Sequence, residues 1–278
     1  MAGNLKQLLE RKLTKKELSV FIKSFDSLGN IAVIEIPEEL EKKEKLIGNT
    51  IIESNKNIKT VCRIAGKHKG KFRIQPVKII AGEKNFIADY RESNSRLVFD
   101  VRKTFFSPRL SNERLRISKL IKKGETVGCF FAGVGPYPIV FAKNSQMKKA
   151  FAVELNPDAV EFMEKNTELN KVQGKIEVIK GNVNKVAGTR LKDSCDRIVM
   201  PMPHGGETFL SASIKALKKK GVIHFYQVLE KETAFETAIE RAKKECIKQK
   251  RKFVLLDKRK VRPFSATKIQ VVIDFRAG

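Results

Sequence analysis

Residues 126–157, TVGCFFAGVGPYPIVFAKNSQMKKAFAVELNP, constrain the fold more than any other stretch of the chain. Residues 127–131 form a short apolar run of the kind that makes a buried strand. Gly133 and Gly135 follow at once, where a chain turns sharply and brings its backbone close to a ligand. Residues 136–148 carry apolar side chains at Ile139, Val140 and Met147, and residues 150–153 resume strand character and stop at Glu154. An acid about twenty residues past a glycine turn is where a doubly wound α/β fold holds a ribose by its hydroxyls. The third glycine of the dinucleotide fingerprint is absent, since Tyr137 and Pro138 follow Gly135. By itself a G-x-G is also an ordinary strand-to-helix turn.

A tight turn without a pyrophosphate cradle suits an uncharged or cationic nucleoside such as S-adenosylmethionine. The chain beyond it keeps alternating. A helix is expected over 158–170, opened by Asn156-Pro157 with proline in its first turn, and a strand over 176–179 that ends at Gly181-Asn182. A further strand at 196–200 runs into Pro201-Met202-Pro203-His204-Gly205-Gly206, a natural rim for a ligand crevice. A helix at 209–217, a strand at 221–226 and a long charged helix at 230–248 follow. The last two strands, 253–261 and 269–275, have no helix between them and must be antiparallel neighbours. Five strands alternating with helices, then an antiparallel pair, predict an α/β fold with the Rossmann-like, seven-stranded sheet of a class I methyltransferase.

The 57 Lys and Arg against 31 Asp and Glu give a net charge of +26, a balance that points to a polyanionic partner such as nucleic acid. A solvated basic surface is the plainer alternative. Cys62, Cys129, Cys195 and Cys246 form no C-x-x-C pair, which argues against zinc and for reduced thiols. The first residues lack the apolar core of a signal peptide, and no run approaches the roughly eighteen apolar residues of a membrane span. A cytoplasmic monomer without metal or membrane contact is expected.

Residues 1–115 read as a small α+β domain ahead of a methyltransferase domain at 116–278. Thr14-Lys-Lys-Glu17 has the form of a capping box, residues 30–36 and 60–64 read as strands, and 38–47 as a charged helix. Lys67, His68, Lys69, Lys71 and Arg73 cluster around two glycines, a loop suited to RNA phosphates or simply to solvent. After a strand at 97–104, Ser111-Asn112-Glu113 opens a helix carrying Arg114 and Arg116, and the helix dipole alone accounts for an acid in its first turn.

Phe106-Ser-Pro-Arg-Leu110, Glu113-Arg114, Phe131-Ala-Gly-Val-Gly-Pro136, Glu154-Leu-Asn-Pro157 and the Met-Pro-Met-Pro turn together resemble the archaeal and eukaryotic tRNA guanosine-37 N1-methyltransferases and their wybutosine-pathway relatives. The resemblance spans about residues 5–275 and implies methyl transfer from S-adenosylmethionine to the purine beside the anticodon. It makes Glu113 the general base for guanine N1 and Arg73 the cation beside O6. It assigns the cofactor to Phe131, Ala132, Gly133, Gly135, Pro136, Glu154, Leu155, Asn156, Asn182 and Pro201. The tRNA anticodon loop would meet Phe105, Arg109, Arg114, Pro203 and His204. Cys129 and Asn182 stand where the family often has acids, and Pro201 where better-known members have an asparagine. The additional N-terminal domain of longer members is not expected. Two other functions fit the same residues: a wybutosine-pathway transferase that moves an aminocarboxypropyl group or methylates a tricyclic base, and a non-catalytic RNA-binding protein.

Overall fold

The computed structural model describes residues 2–22, 24–66 and 70–278. The chain divides into two compact units, residues 1–111 and 112–278. The first holds helices α1 (Ala2–Glu10) and α2 (Lys15–Val20), strands β1 (Phe25–Leu28) and β2 (Ile31–Ile34), helix α3 (Glu44–Ser54), and strands β3 (Thr60–Ile64), β4 (Val77–Gly82), β5 (Ile87–Glu92) and β6 (Ser95–Asp100). β1 to β4 form one sheet in sequence order, and β5 and β6 a separate hairpin. Thr14 caps α2 as its spacing predicts, accepting from the Glu17 N–H while Glu17 Oε2 accepts from the Thr14 N–H at 2.7 Å. Leu5, Leu9, Ile34, Ile47, Ile51 and Val61 meet in this unit's core.

The sequence signal blurs in three places here. Residues 38–47 are a 3-10 turn, Glu38–Lys43, followed by an α-helix that runs on to Ser54, because Thr50, Ile51 and Ile52 keep an apolar face past the charged start. β1 is four residues long and half polar, too short for a periodic signal. β5 pairs residue for residue with β6, which ends at Asp100 rather than continuing to Thr104.

The second unit comprises α4 (Ser111–Leu120, its first residue shared with the first unit), β7 (Thr126–Phe130), α5 (Pro136–Asn144), β8 (Lys149–Glu154), α6 (Pro157–Leu169), β9 (Ile176–Lys180), α7 (Val183–Gly188), β10 (Cys195–Met200), α8 (Leu210–Ala216), β11 (Leu217–Glu230), α9 (Ala234–Lys248), β12 (Phe253–Pro263) and β13 (Lys268–Ala277). Its seven strands lie in the order β12-β13-β11-β10-β7-β8-β9. β9, β8, β7, β10 and β11 are parallel, and β13 is antiparallel to both its neighbours. This is the expected class I methyltransferase sheet. The central strands are buried on both faces and so read as near-continuous apolar runs. β11 is longer than its apolar segment, because Lys218, Lys219 and Lys220 precede Gly221 and hide its start.

The apolar core of this unit runs from Phe130 and Val153 through Ile198, Met200 and Phe225 to Ile273 and Phe275. All four cysteines are buried and free, and burial pushes the thiols of Cys62 and Cys195 up to about 12, so they act as small apolar side chains. Among the described residues no helix is long and apolar enough to cross a membrane. Phe130 is fully buried at the end of β7, directly before the glycine turn. Phe130→Ala is expected to cost about 3–5 kcal/mol of unfolding free energy, measured by denaturant titration.

Candidate active site

Three parallel strands end side by side, and their ladder continues into the loops that follow. The Ala132 N–H donates to the Val153 carbonyl at 3.0 Å, and the Gly181 N–H to the Glu154 carbonyl at 2.8 Å. Between these ties the chain reverses through left-handed backbone at Phe131 (φ 57), Gly133 (φ 55) and Gly135 (φ 91). A phenylalanine held there costs on the order of 1–3 kcal/mol and persists only where its surroundings over-determine it. The Phe131 ring packs edge-on against Phe209 at 4.8 Å, and Asn166, buried on α6, donates to the Val134 carbonyl at 3.0 Å. Gly135 opens α5, and a Cβ there would stand 2.9 Å from Met163 Cγ.

The turn closes on Glu154. Its Oε2 accepts from the Gly133 N–H, and its Oε1 from the N–H groups of Leu155 and Asn156, each at 2.8 Å. A carboxylate oxygen accepts about two hydrogen bonds, so Oε1 is filled and Oε2 keeps one acceptor position beside the turn. Leu155 is exposed, an apolar surface next to that acceptor. Asn156 is buried and caps α6 by accepting from the Asp158 N–H at 3.1 Å. Asn182 likewise caps α7, its Oδ1 accepting from the Asn184 N–H at 2.8 Å, which leaves its Nδ2 to donate. After β10 come the half-buried Pro201 and Pro203, and the Pro203 carbonyl accepts from the Val228 N–H at 3.0 Å. The His204 ring meets Phe264 edge-on at 5.0 Å.

Glu113 is built differently. It lies in the first turn of α4 and is buried, and its partners are side chains. Oε2 accepts from Arg116 Nη2 at 2.9 Å, from Arg116 Nε at 3.1 Å and from the Tyr226 hydroxyl at 2.8 Å. Among the described residues Oε1 accepts only the longer branch from Arg116 Nε at 3.2 Å, and it lies 3.6 Å from Arg259 Nη1. Burial holds the Tyr226 phenol well above its ordinary range, so it stays a donor. Arg116 stands at the i, i+3 helical spacing that could have pointed to it, whereas Tyr226 and Arg259 carried no sequence signal because strand pairing brings them in. Arg114 is 2% exposed, its guanidinium over the Tyr137 ring at 5.7 Å, which gives it a packing contact between α4 and α5.

The remaining expected residues belong to the first unit. Arg73 takes a left-handed conformation (φ 55) in the turn before β4, its N–H donating to the Gly70 carbonyl at 3.2 Å. Phe105 is 51% exposed. Arg109 is half-exposed and pairs with Asp26 at 2.8 Å. Lys67, His68 and Lys69 lie outside the described residues.

The residues around the glycine turn fit S-adenosylmethionine. A vicinal diol can donate to the open position on Glu154 Oε2, the turn offers backbone at close range, and the apolar Leu155 can cover a purine. The sheet order, the turn after β7 and the carboxylate after β8 define a class I S-adenosylmethionine-dependent methyltransferase domain. The chain belongs to the TRM5/TYW2 family: the TRM5/TYW2 methyltransferase domain matches residues 88–255, and the TYW2 N-terminal domain matches residues 5–85. The tRNA (guanine(37)-N(1))-methyltransferase Trm5b of Pyrococcus abyssi is 37% identical over 92% of this chain and 75% of its own. The solved complex of aTrm5 and tRNALeu superposes with a TM-score of 0.86 at 28% identity, covering 100% of this chain and 79% of that one. TYW2 of Methanocaldococcus jannaschii in complex with AdoMet superposes with a TM-score of 0.70 at 25% identity, over 91% and 99%. Glu154→Ala removes the acceptor of three backbone N–H groups and is expected to weaken S-adenosylmethionine binding about tenfold to a hundredfold in calorimetry.

Proposed function

We propose that the protein transfers the methyl group of S-adenosylmethionine to N1 of guanosine 37 in tRNA. The observation that carries this reading is Glu113: a buried carboxylate with Oε2 filled and Oε1 holding a single, longer hydrogen bond, on a helix of the methyltransferase unit. Guanine N1 bears a proton at neutral pH, so a positioned base must take it before the nitrogen lone pair can attack. The cofactor supplies the electrophilic methyl. Glu113 Oε1 takes the N1 proton, and a cation offsets the negative charge that develops on O6. The family resemblance gives that second role to Arg73. Glu154 and residues 131–136 hold the nucleoside and methionine ends of the cofactor, with Asn182 and Leu155 at the adenine.

The tRNA partner is supported by the net charge of +26 and by a structural neighbour solved on tRNA. His204, Pro203 and the exposed Phe105 supply ring surface for the anticodon loop. A second reading, transfer within wybutosine synthesis, draws on the match of residues 5–85 to the TYW2 N-terminal domain. Incubation with unmodified tRNA transcripts and labelled cofactor separates the two, the expected product being N1-methylguanosine at position 37. An aminocarboxypropyl product, or activity on a tricyclic base alone, would replace the first reading with the second. Glu113→Gln is expected to leave cofactor affinity unchanged and to lower kcat about a hundredfold or more, and Arg73→Ala to lower kcat with N1-methylguanosine still the product.

A further inference from the structure

The charges around Glu113 continue into the protein. Arg116, which grips Glu113, also donates from Nη1 to Asp274 Oδ2 at 2.7 Å. Asp274 Oδ1 lies 2.7 Å from His224 Nδ1, and His224 Nε2 lies 2.8 Å from Arg197 Nη1. Arg197 donates from Nε and Nη2 to Glu125 at 2.8 and 3.1 Å, and from Nη2 to the Leu120 carbonyl at 2.8 Å. Leu120 ends α4. The chain of contacts therefore starts in the first turn of that helix and returns to its last carbonyl.

Sheet register makes this possible. Asp274 stands directly opposite His224, and Val272 opposite Tyr226, so His224 and Tyr226, two apart on β11, point to the same face. Val199 pairs with His224, and Arg197, two residues earlier on β10, shares that face. The imidazole tautomer follows from the partners. A guanidinium has only donors, so Nε2 must accept from Arg197, and Nδ1–H donates to Asp274. Burial is the largest influence on His224 and lowers its pKa, which keeps the ring neutral. Burial works against the Asp274 carboxylate, yet His224 and Arg116 hold its pKa below the ordinary range.

Arg197, His224 and Asp274 are at most 5% exposed. Buried ion pairs seldom add stability over well-packed apolar residues of the same volume, so stability alone does not account for this row. Orientation does. Arg116 has one edge on Glu113 and Nη1 on Asp274, so its plane is set from behind, and with Tyr226 that plane loads Oε2 and leaves Oε1 the longer Nε branch. We propose that Asp274 and His224, acting through Arg116, are positioning residues that hold Glu113 with Oε1 toward the substrate proton. The inference rests on the reading of Glu113 as the base.

The test uses Asp274→Asn and Arg116→Lys in the full chain, with tRNA transcript, beside Glu113→Gln. Asp274→Asn removes the charge that sets the guanidinium, and Arg116→Lys keeps the charge but loses the fork. The expected result is a fall in kcat of about tenfold to a hundredfold for both, the size of effect a shift of about 1 Å in a reacting group produces. The KM for tRNA and the calorimetric Kd for S-adenosylmethionine are expected to stay within about twofold, since neither residue touches the turn or Glu154. Wild-type kcat in folded variants, or a fall in kcat only in step with lost cofactor binding and a lowered Tm, overturns the proposal. Should Asp274→Asn not fold, Arg116→Lys decides, because it leaves the buried charges balanced. Full turnover in Glu113→Gln would remove the base itself; loss in Glu113→Gln with full turnover in the other two would remove only the positioning role.

Discussion

The methyltransferase unit depends first on the carboxylate of Glu154, on which three backbone N–H groups converge. One comes from the turn after β7 and two from the turn after β8, so a single side chain sets the distance between two loops that leave the same edge of the sheet. Hydrogen bonds to a charged acceptor contribute about 1.5–3 kcal/mol each in mutational series, which is ample against the strain of a left-handed Phe131. Packing supports the same geometry from below, where Gly135 meets Met163 without room for a Cβ. Conformation and ligand surface are therefore one feature: the backbone that Glu154 restrains is the backbone a nucleoside would approach.

The unit holds two important acids by opposite means. Backbone amides fasten Glu154, and they neither titrate nor swing away, so that site exists before any ligand arrives. Side chains fasten Glu113: two arginines and a tyrosine drawn from α4, β11 and β12. Such a site can be oriented finely but depends on everything behind it. A carboxylate that only accepts hydroxyls tolerates a fixed cradle, whereas one that must take a proton needs an oxygen left open in a defined direction. The buried row from Arg116 to Arg197 supplies a direction, and its contact with the Leu120 carbonyl ties the far end of α4 to the same residues.

Legibility in the sequence followed the range of the interactions. The strand, turn, helix and acid of residues 126–157 were readable because each is a local pattern, and Glu154 reaches its partners within 21 residues. The capping box at Thr14 and the Asn156-Pro157 start of α6 were readable for the same reason. The strand-borne partners of Glu113 were not, since Tyr226 is 113 positions away and arrives through the pairing of β11 with β13. His224 and Asp274 are 50 positions apart, and nothing in either neighbourhood announces a register that sets them face to face. Arg114 shows the reverse failure. It stands in the most recognisable motif of the chain, yet the helix phase turns it inward onto Tyr137, while Arg116, two positions on, meets the carboxylate. β1 escaped notice because four residues are too few to display a period.

Which group moves is decided by alignment rather than by the cofactor's identity. A sulfonium offers more than one carbon to a nucleophile, and the one transferred is the one held in line with the attacking atom at near contact. With the cofactor held as proposed, by the turn at 131–136 and Glu154, the remaining variable is where the nucleotide enters. Pro201 and Pro203 make that rim stiff, and the Val228 hydrogen bond to the Pro203 carbonyl fastens it to β11, the strand that also carries Tyr226. In the proposed reading, target base and general base are thereby referred to the same strand. A nucleophilic carbon of a tricyclic base needs no proton removed before attack, so a clamped carboxylate with one acceptor position left has little to do for it. Guanine N1 does need one, and a site that spends so much buried charge on orienting a single carboxylate is better matched to a substrate whose nucleophile must first be deprotonated.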